Sequence, residues 1–521
     1  MTNFINELKK ETNFTITENG AVAYKSTLNA CLDAFGSLGA MRNIYKGRII
    51  EIFSKAFYED RETAMRMLFY MRDIRGGQGQ RRVFREIIKW LAESYPQIIV
   101  QNLKNFLEFG RGDDLLCLLD YKFVKRDVLN FIAVTLSNDI EAMVKNEPCS
   151  LLAKWLPSEN ASSEETKRYA RIIRGGLGYT PKQYRTILSR LRKYIGVVET
   201  KMSANKWKEI DYSSVPSKAS INYTNAFYKH DCERYKNFVF NDASKKINAK
   251  ALFPVDIVHK IMNSGREINQ IKLFLYDAMW KNLPDYFEGK EETGICVVDV
   301  SGSMTGIPME VAISLGMYNA DKCRGAYKNH FITFSDHPEL VEVVGENIVE
   351  KVRNITDANW DCNTNLEAVF DLILKTAIKS NCSEVDMPSK LYIISDMQFD
   401  QASGGEYDYR TWKRKEKKPF MKKMEEKYNA AGYKMPSIVY WNVRASNCGM
   451  FQQTIDDGYN CCMVSGYSPS LFKSIIEGTT YEEVEVTNSN GEKATLLKEK
   501  LDPMEIMYKT LYNERYDKVM I

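Results

Sequence analysis

The chain has 521 residues, a formal net charge of +4 and 44% hydrophobic residues. This length exceeds what one hydrophobic core ordinarily serves, so we expect two or three domains. The composition is that of an ordinary globular protein and excludes a disordered or collagen-like chain. The small positive charge neither requires nor excludes a nucleic acid, so the distribution of charge along the chain must decide.

Several classes of protein are disfavoured by what the sequence lacks. No run of 18 apolar residues is present, and residues 1–14 lack the apolar run after positive charge that is typical of a secretory signal. The eleven cysteines show no C-x-x-C spacing, and the four histidines fit no zinc signature. We therefore expect a cytoplasmic protein with reduced thiols, no membrane partner and no structural zinc.

Helical periodicity dominates the first half of the chain. From about Gly47 to Pro148 apolar residues recur at i, i+3, i+4 and i+7 in successive segments. The breaks between these segments are short and rich in Gly, Asp or Pro. Residues 150–285 continue with a less regular helical pattern. Successive amphipathic helices predict stacked helical pairs, although no strict sequence period is visible.

The pattern changes after about Glu288, where short apolar runs alternate with helical segments. The runs are "TGICVVDVS", "NHFITFSD", "SKLYIISDM", "PSIVYWNV" and "YNCCMVSG". This alternation predicts a mostly parallel sheet covered by helices. Residues 480–500 predict a polar hairpin around Asn490-Gly491, and "DPMEIMYKTLYNERYDKV" predicts a final helix that begins at Asp502.

Oxygen-bearing side chains follow two of the predicted strands. Asp299 ends the first strand, Ser301 and Ser303 lie on the loop after it, and Asp396 ends another strand. Thr364 directly precedes a predicted helix on a loop expected to lie alongside. Ligands of open parallel sheets bind beyond the carboxyl ends of the strands, and Mg²⁺ prefers oxygen ligands. These five residues predict a site for Mg²⁺ or another divalent cation. The alternative is that Asp299 only caps neighbouring backbone amides.

Two stretches of the helical half concentrate basic residues. The first, "RDIRGGQGQRRVFREII", precedes a helix start, where backbone amides attract anions. The second is the predicted helix from Lys182 to Ile195, which has apolar residues on one face and cations on the other. Nearby Tyr179, Trp207 and Tyr212 are candidates to stack on unpaired bases. The candidate RNA-binding residues are Arg75, Arg81, Arg82, Arg174, Lys182, Arg185, Arg192, Lys201 and Lys208. The alternative is a solvated charged surface without a ligand.

The segment from about residue 290 to residue 480 resembles a von Willebrand factor A domain with a metal-ion-dependent adhesion site. The resemblance rests on the strand followed by "DVSGSM", the "TN" before a helix and the strand that ends in "SD". It implies that the two serines and Thr364 bind Mg²⁺ directly and that the aspartates act through waters. It also implies an open coordination position for an acidic side chain of a partner. The chain departs from the family at Cys362-Asn363-Thr364, where Gly-Gly-Thr or Gly-Asn-Thr is common.

A helical repeat followed by such a domain resembles the Ro autoantigen (TROVE) proteins, and the chain resembles the DUF2828 family more closely. The stretches that carry the resemblance are "RDIRGGQGQRRVFREII", "FGRGDDLL", "LAKWLPS", "YRTILSRLRKYIGVVETKMSANKWKEIDYSSVPSKA", "VVDVSGSM" and "SDMQFD". For Ro-like proteins the resemblance implies a ring of HEAT-like helical repeats. Single-stranded RNA ends would thread its hole, and structured RNA would lie on its outer basic surface.

These observations combine into one expected architecture and function. We expect an α-helical repeat ring or solenoid over residues 1–287, a doubly wound, mostly parallel A domain over 288–485, and a hairpin and helix over 486–521 that pack back on the rest. The expected protein is a monomeric, non-enzymatic RNA-binding component of a ribonucleoprotein, with a further protein partner at the metal site. The alternative is a metal-dependent protein–protein adhesion or scaffold module that binds no RNA. An enzyme is disfavoured because no nucleophile–base pair, zinc triad or phosphate loop is evident.

Overall fold

A computed structural model describes residues 12–265, 268–290, 293–334, 337–356, 365–399, 420–445, 450–458, 460–487 and 493–521. Its α-helices and strands are numbered here in chain order. The helices are α1 (Ala30–Ser37), α2 (Lys46–Glu59), α3 (Arg61–Arg72), α4 (Arg82–Ser94), α5 (Pro96–Gln101), α6 (Leu103–Phe109), α7 (Lys125–Lys145), α8 (Leu152–Trp155), α9 (Glu164–Gly176), α10 (Pro181–Tyr194), α11 (Val198–Ser203), α12 (Ser217–His230), α13 (Cys232–Asn237), α14 (Ala243–Lys246), α15 (Pro254–Met262), α16 (Gln270–Lys281), α17 (Ile307–Lys322), α18 (Ile348–Thr356), α19 (Leu366–Ser380), α20 (Phe420–Ala430), α21 (Ser470–Gly478) and α22 (Pro503–Leu511). The strands are β1 (Phe14–Ile16), β2 (Val22–Tyr24), β3 (Ile295–Asp299), β4 (His330–Phe334), β5 (Leu340–Glu342), β6 (Lys390–Ser395), β7 (Ser437–Asn442), β8 (Cys461–Ser465), β9 (Thr479–Thr487) and β10 (Lys493–Leu501).

The chain forms two compact units, and neither is continuous in sequence. The sheet unit comprises Met1–Ile44 and Leu252–Tyr512, and the helical unit comprises Tyr45–Ala251 and Asn513–Ile521. The division expected from sequence, at residues 287 and 485, follows the chain order, whereas these units do not. Helices α15 and α16 belong to the sheet unit because they pack against α17 and α18.

The sheet unit is built on six strands in the order β5-β4-β3-β6-β7-β8. Strands β4, β3, β6, β7 and β8 run parallel to one another, and the edge strand β5 pairs antiparallel with β4. The expectation of a mostly parallel sheet between helices is confirmed, and each of the five apolar runs forms one of its strands.

Both faces of this sheet are covered by side chains from helices. On one face Val297 of β3 packs in a buried cluster with Phe370 of α19. On the other face Trp441 of β7 packs against Phe472 of α21, whose ring stacks on Tyr318 of α17 at 6.0 Å. Burial on both faces explains why these strands read as continuous apolar runs rather than as alternating ones.

The predicted hairpin and the start of the last helix are also confirmed. Strands β9 and β10 pair antiparallel, while Asn490 and Gly491 lie outside the described residues. The Asp502 side chain accepts hydrogen bonds from the backbone N–H groups of the first turn of α22. The helix expected through "YNERYDKV" ends at Leu511 instead, and residues 513–521 belong to the helical unit.

The helical unit is made of the amphipathic helices that the periodicity predicts. Asp60 caps α3 by accepting from the backbone N–H groups of Glu62 and Thr63. Phe69 of α3 meets Phe84 of α4 with ring centroids 5.8 Å apart in a fully buried aromatic core. The α-rich architecture is therefore confirmed, while its organisation into HEAT-like repeats stays a prediction.

Two further properties concern the described residues as a whole. Within them, no helix is both long enough and apolar enough to span a membrane. None of their cysteines forms a disulfide bond.

Candidate functional site

The carboxyl ends of β3 and β6 form the first candidate site. Strand β4 lies on one side of β3, while β6, β7 and β8 follow on the other side, so the strand order reverses between β3 and β6. A parallel sheet with this order leaves a crevice at the reversal, beyond the carboxyl ends of the two strands, where ligands bind. Asp299 ends β3, and Asp396 directly follows Ser395 at the end of β6. The structure therefore brings two of the predicted metal ligands to this crevice.

Asp299 is fully buried, and hydrogen bonds fix its carboxylate. The backbone N–H of Ser301 donates to Oδ1 at 2.9 Å, and the hydroxyl of Ser395 donates to Oδ2 at 2.6 Å. The N–H of Met397 donates to Ser395 Oγ at 3.1 Å, so this serine ties together the loops after β3 and β6. Burial raises the pKa of Asp299 to about 6; these hydrogen bonds oppose the rise, and the charge of Asp396 adds to it.

The two serines of the β3 loop lie beside Asp396. The hydroxyls of Ser301 and Ser303 are 3.1 Å apart, with Ser301 buried and Ser303 exposed. Burial raises the pKa of Asp396, while its hydrogen bond with the Ser303 side chain lowers it. The backbone N–H of Gln398 also donates to Asp396 Oδ1 at 3.2 Å. Four of the five predicted ligands therefore belong to one hydrogen-bonded cluster.

This cluster carries buried negative charge. Among the described residues neither Asp299 nor Asp396 forms an ion pair with a lysine or arginine, although the charge of Arg444 lowers the pKa of Asp396. Buried carboxylates without a counter-charge are costly, and a hard cation with oxygen ligands removes that cost. In the same part of the chain no three His, Cys, Asp or Glu side chains are grouped to hold a metal. The donor set therefore suits a hard cation that uses serine hydroxyls, rather than zinc.

The fifth predicted ligand, Thr364, lies outside the described residues. The next residue, Asn365, caps α19 by accepting from the backbone N–H of Ala368 at 3.0 Å, so the helix expected there is confirmed. Phe370 of α19 shares the core cluster with Val297 of β3.

Sequence reasoning missed several residues that support this edge of the sheet. Ser395 was visible only as part of the "SD" at the strand end. The turn between β1 and β2 also binds the loop after Asp396. There Thr17 Oγ1 donates to the carbonyl of Phe399 at 2.7 Å, and Asn19 Nδ2 donates to that of Gln398 at 2.8 Å. No local sequence pattern connects residues so far apart in the chain.

Backbone conformation marks the same edge. Met397, buried and directly after Asp396, has a φ of 65°, in the left-handed region that a bulky residue rarely adopts. Such conformations persist where the surrounding structure enforces them, and they cluster at functional sites.

Most arginines of the first basic stretch form ion pairs with two aspartates of the same unit, Asp113 and Asp114. Asp114 is fully buried between two guanidinium groups, with Arg72 Nε and Arg85 Nε each 2.7 Å from its oxygens. Asp113 lies 3.2 Å from Arg85 and 3.8 Å from Arg81. Desolvation, followed by repulsion from Arg85, lowers the pKa of Arg81. The stretch therefore forms an ion-pair network that is itself part of the fold.

The other candidate residues of this stretch are exposed. Arg75 makes one long hydrogen bond, from Nη1 to the Glu108 carbonyl at 3.4 Å. Arg82 is exposed at the start of α4. Exposure leaves Arg75 and Arg82 accessible to an anion, and their binding to RNA stays a prediction.

Arg192 of α10 is used inside the helical unit. Its guanidinium donates to the carbonyls of Ala153 and Leu156 at 2.9 and 2.6 Å and to the Ser158 hydroxyl at 3.0 Å. Burial lowers its pKa. Arg192 therefore fastens α10 to the "LAKWLPS" segment.

Two other candidate cations also have internal partners. Arg174 pairs with Glu159 at 2.8 Å, and Lys201 Nζ donates to the carbonyl of Glu209 at 2.8 Å. Two of the three aromatic candidates are likewise packed internally, since Tyr212 is buried and the ring of Trp207 stacks on a histidine at 4.3 Å, while Tyr179 is half-buried.

Three candidate residues remain available. Lys182, Arg185 and Lys208 are exposed, and their side chains have no hydrogen-bond or ion-pair partner among the described residues. Arg190 and Lys193, which sequence reasoning did not single out, are exposed on α10 in the same way. The available cations of this region therefore concentrate on one helix.

Both halves of the chain match known protein families. Residues 17–138 and 159–287 match a family described as "Domain of unknown function (DUF2828)", and residues 293–511 match "Domain of unknown function (DUF7788)". A protein of Acanthamoeba polyphaga mimivirus, described as "Uncharacterized protein L728", is 32% identical over 512 residues, which cover 90% of this chain and 86% of that protein. The chain belongs to the DUF2828 family.

Proposed function

We propose that this protein binds RNA through the exposed basic face of α10 and its surroundings. The observation that carries the proposal is the set of exposed cations on α10 that form no ion pair among the described residues. Helix α10 contains no Asp or Glu, and Lys182, Arg185, Arg190 and Lys193 all face solvent. A row of exposed cations binds a phosphate backbone by releasing its counterions.

The charge around α10 supports the same proposal. Residues 167–208 contain twelve lysines and arginines and one acidic residue, Glu199. The chain as a whole has a net charge of only +4, so the positive charge is concentrated rather than spread. A solvated helix face needs no such imbalance, because acidic residues at i+4 would stabilise it. The imbalance therefore favours an anionic polymer as partner over water alone.

The resemblance to Ro (TROVE) proteins and to von Willebrand factor A domains belongs to this proposal. In it, Asp299, Ser301, Ser303, Thr364 and Asp396 would hold a divalent cation at the crevice between β3 and β6. When bound, that cation would offer an open coordination position to an acidic partner. The support is the buried carboxylate pair, which forms no ion pair among the described residues, and the serine hydroxyls beside it. The proposed role is non-enzymatic.

The test of RNA binding is a salt titration with a labelled single-stranded RNA. The variant reverses three exposed charges of α10 (K182E, R185E, R190E). The matched control reverses three exposed charges elsewhere in the helical unit (K46E, K104E, R126E), which likewise form no ion pair among the described residues. If three phosphates are contacted, the slope of log K against log salt should flatten by about 2 in the α10 variant. Equal binding by both variants would reject α10 as the RNA site.

The second candidate is a metal-dependent adhesion module that binds no RNA. The position of Asp299 and Asp396 at the sheet reversal favours it. Calorimetric titration with Mg²⁺ alone should show binding to the wild type and none to Ser301→Ala. If Mg²⁺ binds but no RNA binds at low salt, the adhesion module is the better description. If neither binds, the buried carboxylate of Asp299 serves only the hydrogen bonds described above.

A further inference from the structure

Asp73 lies in the "RDIRGG" stretch and binds two neighbouring side chains, Arg515 and Tyr516, of the segment 513–521. The guanidinium of Arg515 donates to both oxygens of the Asp73 carboxylate, with Nη2 2.8 Å from Oδ1, and the hydroxyl of Tyr516 donates to Oδ2 at 3.1 Å. The backbone N–H groups of Arg75 and Gly76 donate to the same carboxylate at 3.0 and 3.1 Å. Asp73 is fully buried, so its charge is balanced by a group that arrives from a distant part of the sequence.

The two side chains of this pair enter a shaped pocket. Tyr516 is 1% exposed, and its ring lies 5.3 Å from that of Phe109 and edge-on to Tyr70 at 6.1 Å. The Arg515 guanidinium lies over the Phe109 ring at 5.4 Å. A Cβ at Gly76 would come within 3.0 Å of the Arg515 side chain, so the glycine makes room for it. The glycine-rich stretch that resembles an anion-binding loop thus forms a receptor for a guanidinium.

The main chain of the segment is also recognised by buried side-chain amides. Asn102 donates from Nδ2 to the carbonyl of Met520 at 2.9 Å and accepts at Oδ1 from the N–H of the same residue at 2.9 Å. Asn105 donates to the carbonyl of Lys518 at 2.9 Å. Both asparagines are buried, with 1% and 5% of their surface exposed. An asparagine amide carries both donors and an acceptor, so it can pair with the main chain of a segment without regard to that segment's side chains.

The segment has little regular structure of its own. It contains a three-residue 3₁₀ turn, Glu514–Tyr516, and two backbone hydrogen bonds within itself, to the carbonyls of Asn513 and Tyr516. Asp517 and Lys518 lie between these anchors and are exposed, and the Asp517 carboxylate pairs with Arg66 Nη1 at 3.0 Å. Anchoring side chains, recognised main chain and exposed residues between them are the features of a bound peptide rather than of a core element.

We propose that the Asp73–Asn102 groove is a peptide-recognition site for a segment with an Arg-Tyr pair, and that residues 513–521 occupy it as an intramolecular ligand that can leave and rebind. The proposal is independent of RNA binding and of the cation site. Emptying the groove would leave the buried Asp73 carboxylate without its guanidinium and the amides of Asn102 and Asn105 without their main-chain partners in the segment, so the empty groove binds a peptide of the same chemistry strongly.

The first experiment uses the full chain with one substitution. A labelled synthetic peptide of residues 513–521 is titrated into wild-type protein and into Arg515→Ala protein, whose own segment has lost its charge pair with Asp73. We expect the peptide to bind the Arg515→Ala protein at least about 30-fold more tightly than the wild type, because the wild-type groove is occupied. Equal and negligible binding to both proteins would overturn the proposal.

Peptide variants test the chemistry. An Arg515→Ala peptide should bind at least about 30-fold more weakly than the natural one, and Tyr516→Phe about 10-fold more weakly. A Glu514→Gln peptide is the matched control, since Glu514 is exposed and its side chain has no partner among the described residues, and should bind within about twofold. An Arg515→Ala peptide that binds as well as the control would contradict the assignment of Asp73.

The second experiment separates a ligand from a structural element. A specific protease sequence is inserted between Tyr512 and Asn513 of the full chain, the insert is cleaved, and the sample is diluted. The proposal expects release of the segment, retention of the helical circular dichroism and one-to-one rebinding. Release only together with loss of helicity would make the segment part of the core. A dimer that becomes a monomer on cleavage would overturn the intramolecular assignment.

Discussion

Single residues decide the chemistry of the crevice between β3 and β6. Asp299 is held in place by the Ser301 N–H and the Ser395 hydroxyl, yet the charge it carries has no lysine or arginine ion-pair partner among the described residues. The pKa of Asp299 rises to about 6, and burial is the main cause. The folded chain therefore prefers a proton or a cation at this position, and the two can be distinguished by experiment.

The pH dependence of Asp299→Asn tests this carboxylate. Its pKa of about 6 in the folded chain exceeds the ordinary value of 3.8, so ionisation destabilises the fold as pH rises from about 4 to 6. In buffer with EDTA at pH 7, we expect the variant to be more stable than wild type by about 1–3 kcal/mol, and this advantage to vanish toward pH 4. Urea unfolding at several pH values measures it. Addition of Mg²⁺ should stabilise only the wild type; an advantage independent of pH would contradict the role of ionisation.

Arg192 and Lys182 lie on the same helix with opposite roles. Arg192 donates to three internal oxygens, whereas Lys182 is exposed. We expect Arg192→Ala to lower the free energy of unfolding by about 2 kcal/mol, because buried acceptors lose a charged donor. Lys182→Ala should change it by less than about 0.5 kcal/mol. Chemical denaturation compares the two, and equal losses would show that Arg192 does not fasten α10.

At the scale of elements, local signals set where several helices begin. Thr180 and Gln183 form a reciprocal capping box at the start of α10, and Pro181 occupies its first turn. These are sequence-local features, so the helix and its apolar face were predictable. The position of a helix against its neighbours is not local. Close contacts such as that between α17 and β3 depend on which residues of separate segments meet.

One glycine of α17 and one of α9 test how much a close contact between a helix and the sheet contributes to stability. A Cβ at Gly316 of α17 would lie 2.5 Å from Val298 of β3, whereas a Cβ at Gly175 of α9 would meet nothing within 4 Å. We expect Gly316→Ala to destabilise the protein by about 1–3 kcal/mol because the helix must move off the sheet. Gly175→Ala should be neutral or stabilise it by up to about 1 kcal/mol. Thermal melting measures both, and a neutral Gly316→Ala would show that α17 can shift without cost.

At the scale of the whole molecule, each compact unit combines stretches that are far apart in the sequence, so the units do not follow the chain order. The family matches change near residue 290, as the sequence division does, whereas the sheet unit draws in residues 1–44 and α15 and α16. Thr17 and Gly39 illustrate the reason, since their hydrogen-bond partners are Phe399 and Ser465. A cut at residue 287 would therefore divide one core.

Fragments test this arrangement. We expect residues 1–287 expressed alone to bind a hydrophobic dye and to melt without cooperativity, because α15 and α16 lack the helices on which they pack. Co-expression with residues 288–521 should recover a complex that elutes as one species. Size-exclusion chromatography and circular dichroism provide the readout. A cooperative, dye-free melt of the first fragment alone would contradict the shared core.

The sequence by itself determined the local structure and marked the residues of the candidate cation site. Periodicity, caps and apolar runs depend on neighbours a few positions away, so the helices, the sheet strands, Asp299 and Asp396 could all be found from them. Tertiary structure alone decided which cations are available and which are used internally. Arg192, Arg174 and Arg515 look like exposed basic residues in the sequence, but each reaches an acceptor that another part of the chain supplies. A cation's role depends on whether a buried oxygen lies within reach, and only the folded chain places that oxygen.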